Sequence, residues 1–153
     1  MGIIVEVEES GFTGFIEDGE ICTARLVSVD LKEKPFVDDK TGEKVKKFEF
    51  KFRIDDPSGA HDGQLVWGET PTRMTDHPDN RFRIWAEALL GQRLMAHHKV
   101  NTDDLQDRDC RIIVGKSVKQ QGTSEKIRNF VREVHPTREN AAKLAADDAS
   151  EPF

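Results

Sequence analysis

The chain has 153 residues, 36% hydrophobic and 34% charged, with a formal net charge of −6. That length suits one compact domain with an arm or tail, and excludes two large domains. Its longest apolar runs, such as IIV at 112–114, are too short to span a bilayer, and no basic start followed by an apolar stretch suggests a secretory signal, so a cytoplasmic protein without membrane contact is expected.

Residues 1–18 read as an N-terminal arm or an extra strand, acidic, with Phe12 and Phe15. GEICTARLVSVDLKE, from Gly19, is rich in β-branched residues and reads as a long first strand. PFVDDKTGEK (35–44) carries Pro, paired Asp and a Lys-Thr-Gly turn signal, and reads as a loop. In VKKFEFKFRI (45–54) the period is two: Phe48, Phe50, Phe52 and Ile54 on one face, Lys47, Glu49, Lys51 and Arg53 on the other. DDPSGAHDG then turns the chain into a third strand, QLVWGE (64–69).

The period changes to helical in PDNRFRIWAEALLG (78–91), where Phe82, Trp85 and Leu89 share a face, Asp79 is the expected N-cap and Gly91 the stop. Residues 92–108 are polar and turn-like. CRIIVGKSVK (110–119) and EKIRNFVREV (125–134) flank QQGTS as a hairpin. The Ala-rich PTRENAAKLAADD predicts a short helix capped by Thr137. Three strands, a helix and two strands match an all-β fold, the five-stranded OB-fold with a helix between strands 3 and 4, over residues 19–135, followed by a short helix and acidic tail over 136–153. A small β-sandwich with one helix has nearly the same string of elements.

The acidity is concentrated at the ends. Residues 20–138 hold 22 basic and 20 acidic side chains, so the middle is slightly basic. Lys44, Lys46, Lys47, Lys51 and Arg53 crowd the second strand, with Arg25 on the first; the last hairpin adds Lys116, Lys119, Lys126, Arg128 and Arg132. On an OB-fold these regions flank one groove. A basic groove tracks phosphates, and aromatic rings within it stack on bases, the chemistry of sequence-tolerant single-strand binding. Phe36, Trp67 and Phe130 are the candidate stackers. The plain alternative is that these cations keep an outer strand face soluble and these rings pack in the core.

No catalytic constellation emerges, and no cofactor is expected. The five His never meet Cys at a zinc spacing, and His97 and His98 would point to opposite sides of a strand. Asp55-Asp56 and Asp103-Asp104 fall in turns, where Asp serves the backbone. No Gly-rich phosphate loop or nucleophile elbow is present. Cys22 and Cys110 sit singly in strand-like runs and are expected as free thiols.

The last residues, DDASEPF (147–153), carry a specific resemblance. They are similar to the acidic tip of bacterial and phage single-stranded-DNA-binding proteins, in which Asp residues precede Pro-Phe. The likeness covers about seven residues, together with the OB-like element order; lacking the Gly/Pro/Gln-rich linker of many bacterial members, the chain is more like a phage version. It implies a non-catalytic protein that coats and protects single-stranded DNA in replication, recombination or repair, and recruits replication and recombination proteins through its tip. Asp147, Asp148, Glu151 and Pro152 would steer and shape the contact, and Phe153 would anchor it. The acidic tail is expected to compete with DNA for the basic groove. A free strand edge or the N-terminal arm would serve a homo-oligomer. The rival readings are a phage β-barrel adaptor that binds no nucleic acid, a nuclease using the Asp pairs, and a single-strand annealing protein.

Overall fold

The computed structural model describes residues 2–5 and 14–150; the expectations for most of the N-terminal arm, and for Glu151, Pro152 and Phe153, fall outside them. Five strands are formed: β1 (Ile21–Val37), β2 (Lys44–Ile54), β3 (Leu65–Pro71), β4 (Asp109–Gln121) and β5 (Ser124–His135). α1 (Arg81–Leu90) and a short 3-10 turn (Thr102–Leu105) lie between β3 and β4, and α2 (Arg138–Ser150) follows β5.

All ladders are antiparallel, in the order β3-β2-β1-β4-β5. β1 serves two neighbours: Ile21–Arg25 pair with β4, and Ala24–Val37 pair with β2. A register shift between Leu26 and Ser28 bends the strand between those roles. The outermost strands, β3 and β5, then come face to face, and the sheet curls into a barrel with α1 across one end. That connectivity is the OB-fold.

The alternation in β2 places its aromatic residues as expected. Phe50 and Phe52 are fully buried, and Phe48 is half-buried at the rim. Trp85 from α1 meets Phe50 edge-on at 5.2 Å between centroids and Phe52 at 6.0 Å, while Phe82 lies 5.3 Å from Phe48. The two edge-on pairs with Trp85 add about 0.5–1.5 kcal/mol each beyond the area they bury. Leu26, Ile54, Val66, Ile112, Val114 and Val131 complete the core. Gly68 makes the fit possible: a Cβ there would stand 2.6 Å from Trp85 and 2.9 Å from Val131, so only glycine lets β3, β5 and the indole meet.

Several local expectations are corrected. β1 runs on to Val37, so Phe36 ends a strand and the loop shrinks to residues 38–43. Asn80, not Asp79, caps α1, its side-chain oxygen accepting the Arg83 N–H at 2.9 Å. His97 and His98 lie in a turn: His97 has φ 71°, and His98 Nδ1 accepts the Met95 N–H. The helix read over PTRENAAKLAADD does form: Thr137 caps α2, its hydroxyl accepting the Asn140 N–H at 3.1 Å, and the helix runs through Asp147 and Asp148 to Ser150. Of the arm, residues 14–18 form no strand and are tied down. Ile16 is fully buried, and Asn129 both donates to its C=O and accepts from its N–H.

Cys22 and Cys110 are free and buried. Burial pushes their thiols up, to about 11 and about 12 respectively, so neither is a thiolate at neutral pH.

Candidate nucleic-acid interface

The outward positions of β1, β2 and β3 stack in cross-strand rows. Arg25, Arg53 and Leu65 form one row; Ser28, Lys51 and Trp67 form the next; Asp30, Glu49 and Glu69 follow; Lys32, Lys47 and Pro71 come last. Lys47, Lys51 and Arg53 therefore share one face of the barrel. Lys44 and Lys46, with the opposite parity, belong to the Phe48 side of the projecting hairpin. The five-cation cluster read from the sequence is thus divided between two faces.

A second row comes from the β4–β5 hairpin. Phe130 pairs with Gly115, Arg128 with Ser117, and Lys126 with Lys119, so these side chains share one face. Lys116 pairs with Asn129 and takes the other. The Phe130 ring occupies the space above Gly115; a Cβ at residue 115 would fall 2.4 Å from its Cζ. The Arg128 and Arg132 guanidinium carbons stand 5.8 and 5.9 Å from the ring centroid, one on each side along the strand.

Where β3 faces β5, the two rows meet in a groove of about 440 Å³, lined by Trp67, Phe130, Arg128, Arg81, Glu49 and Phe15 among others. Trp67 is 42% exposed, a large indole left in contact with water beside Lys51. Lys51 and Arg128 make no ion pair among the described residues. Arg81, from the first turn of α1, closes the back wall. Its Nη2 donates to the Val131 C=O at 3.1 Å and the Arg132 C=O at 2.7 Å, and its guanidinium covers Trp85 at 4.7 Å. Burial pushes its pKa down, against the pull of Glu133 and Glu69.

Not every expected site residue reaches this groove. Phe36 is 56% exposed at the far end of the β1–β2 hairpin and does not line it. Arg25 is held by Asp109 on β4 (Nε–Oδ1 3.0 Å), a hydrogen bond that raises its pKa. Arg132 is tied to Asp18 at 2.6 Å; the Lys116 N–H and then Arg132 hold the Asp18 carboxyl below its ordinary range. These two cations fasten strands and arm before they meet any ligand. Arg81, in turn, was not singled out by sequence, and Phe15 only as part of the arm. Phe15 follows a glycine in an acidic arm, and Arg81 sits within an amphipathic helix; nothing local marks either as groove lining.

Asp147 and Asp148 lie elsewhere, on α2 beside the end of α1. Arg93 Nε and Nη2 donate to the two Asp148 oxygens at 2.9 and 2.8 Å, and the Arg93 N–H donates to Asp147 at 3.2 Å. The same guanidinium pairs with the buried Glu87 at 3.7 Å. Asn140 adds bonds to the Ala88 and Leu89 carbonyls, and Leu144 is buried beneath. Acids at a helix C-terminus oppose its dipole, so Arg93 offsets an unfavourable placement. Its hydrogen bonds also hold the Asp148 carboxyl below the ordinary range. The contact is therefore complete above the unfolded carboxylate pKa and is lost as pH falls through the depressed folded value. Hydrogen exchange of the α2 amides, corrected for intrinsic pH dependence, should rise on acidification, and Arg93→Ala should give the same rise at neutral pH. The change should be only a few-fold, because both partners touch solvent.

Among the described residues no group of three or more His, Cys, Asp or Glu is placed to hold a metal, and no helix is long and apolar enough to cross a membrane. Asp56 serves its turn, its carboxylate accepting from the Ser58 hydroxyl and its C=O from the Gly59 N–H, while the Asp103 N–H donates to Asn101, which caps the 3-10 turn.

No protein family matches the chain by sequence, and no curated protein does. Among solved structures it is similar to yeast RPA bound to ssDNA, with a TM-score of 0.37 and 14% identity, over 88% of this chain and 86% of that one. A likeness of that size decides nothing about function, and the barrel stands on its own strand pairing.

Proposed function

We infer that this protein binds single-stranded DNA without strong sequence preference, laying bases on Trp67 and Phe130 while Lys51, Arg53, Arg128 and Arg81 take the phosphates. The observation that carries this reading is the exposed Trp67 across one groove from Phe130, each with a cation alongside. Stacking rings give affinity for any base, because every base has a π-face, and the flanking cations track the backbone.

Coating and protection of DNA during replication, recombination or repair follow from this reading. Recruitment of partner enzymes belongs to it as well, and rests on the acidic Pro-Phe sequence. Arg93 already holds Asp147 and Asp148, so in this reading the anchoring role rests on Phe153 and its Pro-Phe sequence. The test is an anisotropy titration of labelled oligo(dT) across a salt series. Affinity should fall with a log–log slope of about −0.7 per phosphate neutralised, roughly −2 to −3 in all if Lys51, Arg53, Arg128 and Arg81 supply the contacts. No binding at low salt would end the proposal.

A further inference from the structure

The groove has one feature that phosphate binding does not explain. Asp30, Glu49 and Glu69 sit directly opposite one another on three neighbouring strands. Like charges in that arrangement destabilise a sheet. Lys34 reaches the outer member, Glu69, and forms an ion pair with it. Glu49, the central one, is half-buried and lines the groove together with Trp67 and Phe130. Lys47 and Lys51 flank it two positions away on the same strand, yet its carboxylate makes no ion pair or hydrogen bond among the described residues. A carboxylate there repels the phosphate backbone and, being an acceptor only, rewards a ligand that brings a donor.

We propose that Glu49 selects among stacked bases, favouring those with an exocyclic amine at the edge facing the groove. The inference rests on the single-strand reading above. A base lying on Trp67 or Phe130 turns its edge toward the sheet, and cytosine offers an N4 amine that a carboxylate accepts. Uracil places a carbonyl oxygen at the same point, so two acceptors would face each other there, and its N3–H lies between two carbonyls. The preference is modest and sits on top of the sequence-tolerant stacking. The carboxylate row also keeps phosphates to either side, toward Lys51 and Arg53 or toward Lys47, so that bases and not backbone occupy the middle.

The experiment uses the full chain and two probes, oligo(dC) and oligo(dU) of equal length, at mildly alkaline pH where cytosine stays neutral. The two pyrimidines have similar stacking area and no methyl difference. Wild type should bind oligo(dC) tighter by about three- to tenfold, the range of a typical net hydrogen bond that still competes with water. Glu49→Gln should bring the ratio to about one, since an amide both donates and accepts and pairs with either base. Removing the repulsion should raise its affinity for oligo(dU). Glu125→Gln, which alters the same net charge at the hairpin tip, should shift both affinities together and leave their ratio alone. Equal wild-type binding of the two oligonucleotides overturns the proposal, as does a cytosine preference that survives in Glu49→Gln. If neither oligonucleotide binds, the single-strand reading itself fails and the selectivity fails with it. Melting curves for the variants separate these effects from misfolding.

Discussion

Replacing Trp67 with Ala should weaken binding to single-stranded oligonucleotides by about 1–3 kcal/mol, roughly five- to 150-fold, without unfolding the protein. The size follows from the stacking of one base on an aromatic ring. Trp67 is 42% exposed and its backbone pairs with Lys51, so truncating it leaves the β2–β3 ladder and the core intact. Phe130→Ala should act in the same direction and loosen the positions of Arg128 and Arg132, which flank the ring. Because the two rings line a single groove, the double variant need not lose the sum of the single losses; a departure from additivity would mean that one base contacts both. Anisotropy at fixed salt measures the affinities, and a thermal melt confirms the fold. A Trp67→Ala protein that binds as tightly as wild type would remove the groove from the account.

Trp85→Ala is expected to have the opposite profile: a loss of about 3–5 kcal/mol in stability, the usual cost of truncating a buried large aromatic. Trp85 is 2% exposed; it joins Phe50 and Phe52 edge-on, fills the space left open by Gly68, and lies beneath the Arg81 guanidinium. Its removal opens a cavity under both β3 and the back wall of the groove. For a small domain, a loss of that size is a large part of total stability. Chemical denaturation should show a lower midpoint. At temperatures where the variant is still folded, binding should weaken less than in Trp67→Ala, since the stacking face is intact. A melting point close to wild type would contradict the packing described for this end of the barrel.

The alternation of β2 was legible in sequence because one of its faces is buried and the other wet, so hydrophobicity reports the pleat directly. The helix from Arg81 was legible for the same reason, with Gly91 at its end in a left-handed conformation. Pro35 misled the reading of β1: it resembles a loop signal, but it sits at an irregularity between Glu33 and Val37, where no ladder N–H is required. The groove itself was only partly readable. Trp67 and Phe130 were identifiable as candidates by residue type, yet their meeting depends on β3 facing β5 across the closed barrel, a contact between distant segments that periodicity does not encode. The Lys cluster read as one group, although strand parity sends Lys44 and Lys46 to the other face. The engagement of Arg25 with Asp109, and of Arg132 with Asp18, was not legible, since those partners are remote in the chain. The helix that ends in Asp147 and Asp148 was legible from its Ala-rich composition, but its docking was not, because Arg93, which holds both carboxylates, is remote in the chain.

Tryptophan fluorescence during an oligo(dT) titration tests the central claim most directly. The chain has two Trp and no Tyr, so its emission comes from Trp67, exposed at the groove, and Trp85, buried in the core. Stacking of bases on Trp67 should quench part of that emission, saturating at the same oligonucleotide concentration as anisotropy, and Trp67→Phe should bind with little quenching. Binding that leaves wild-type emission unchanged, or quenching that persists in Trp67→Phe, would contradict the account.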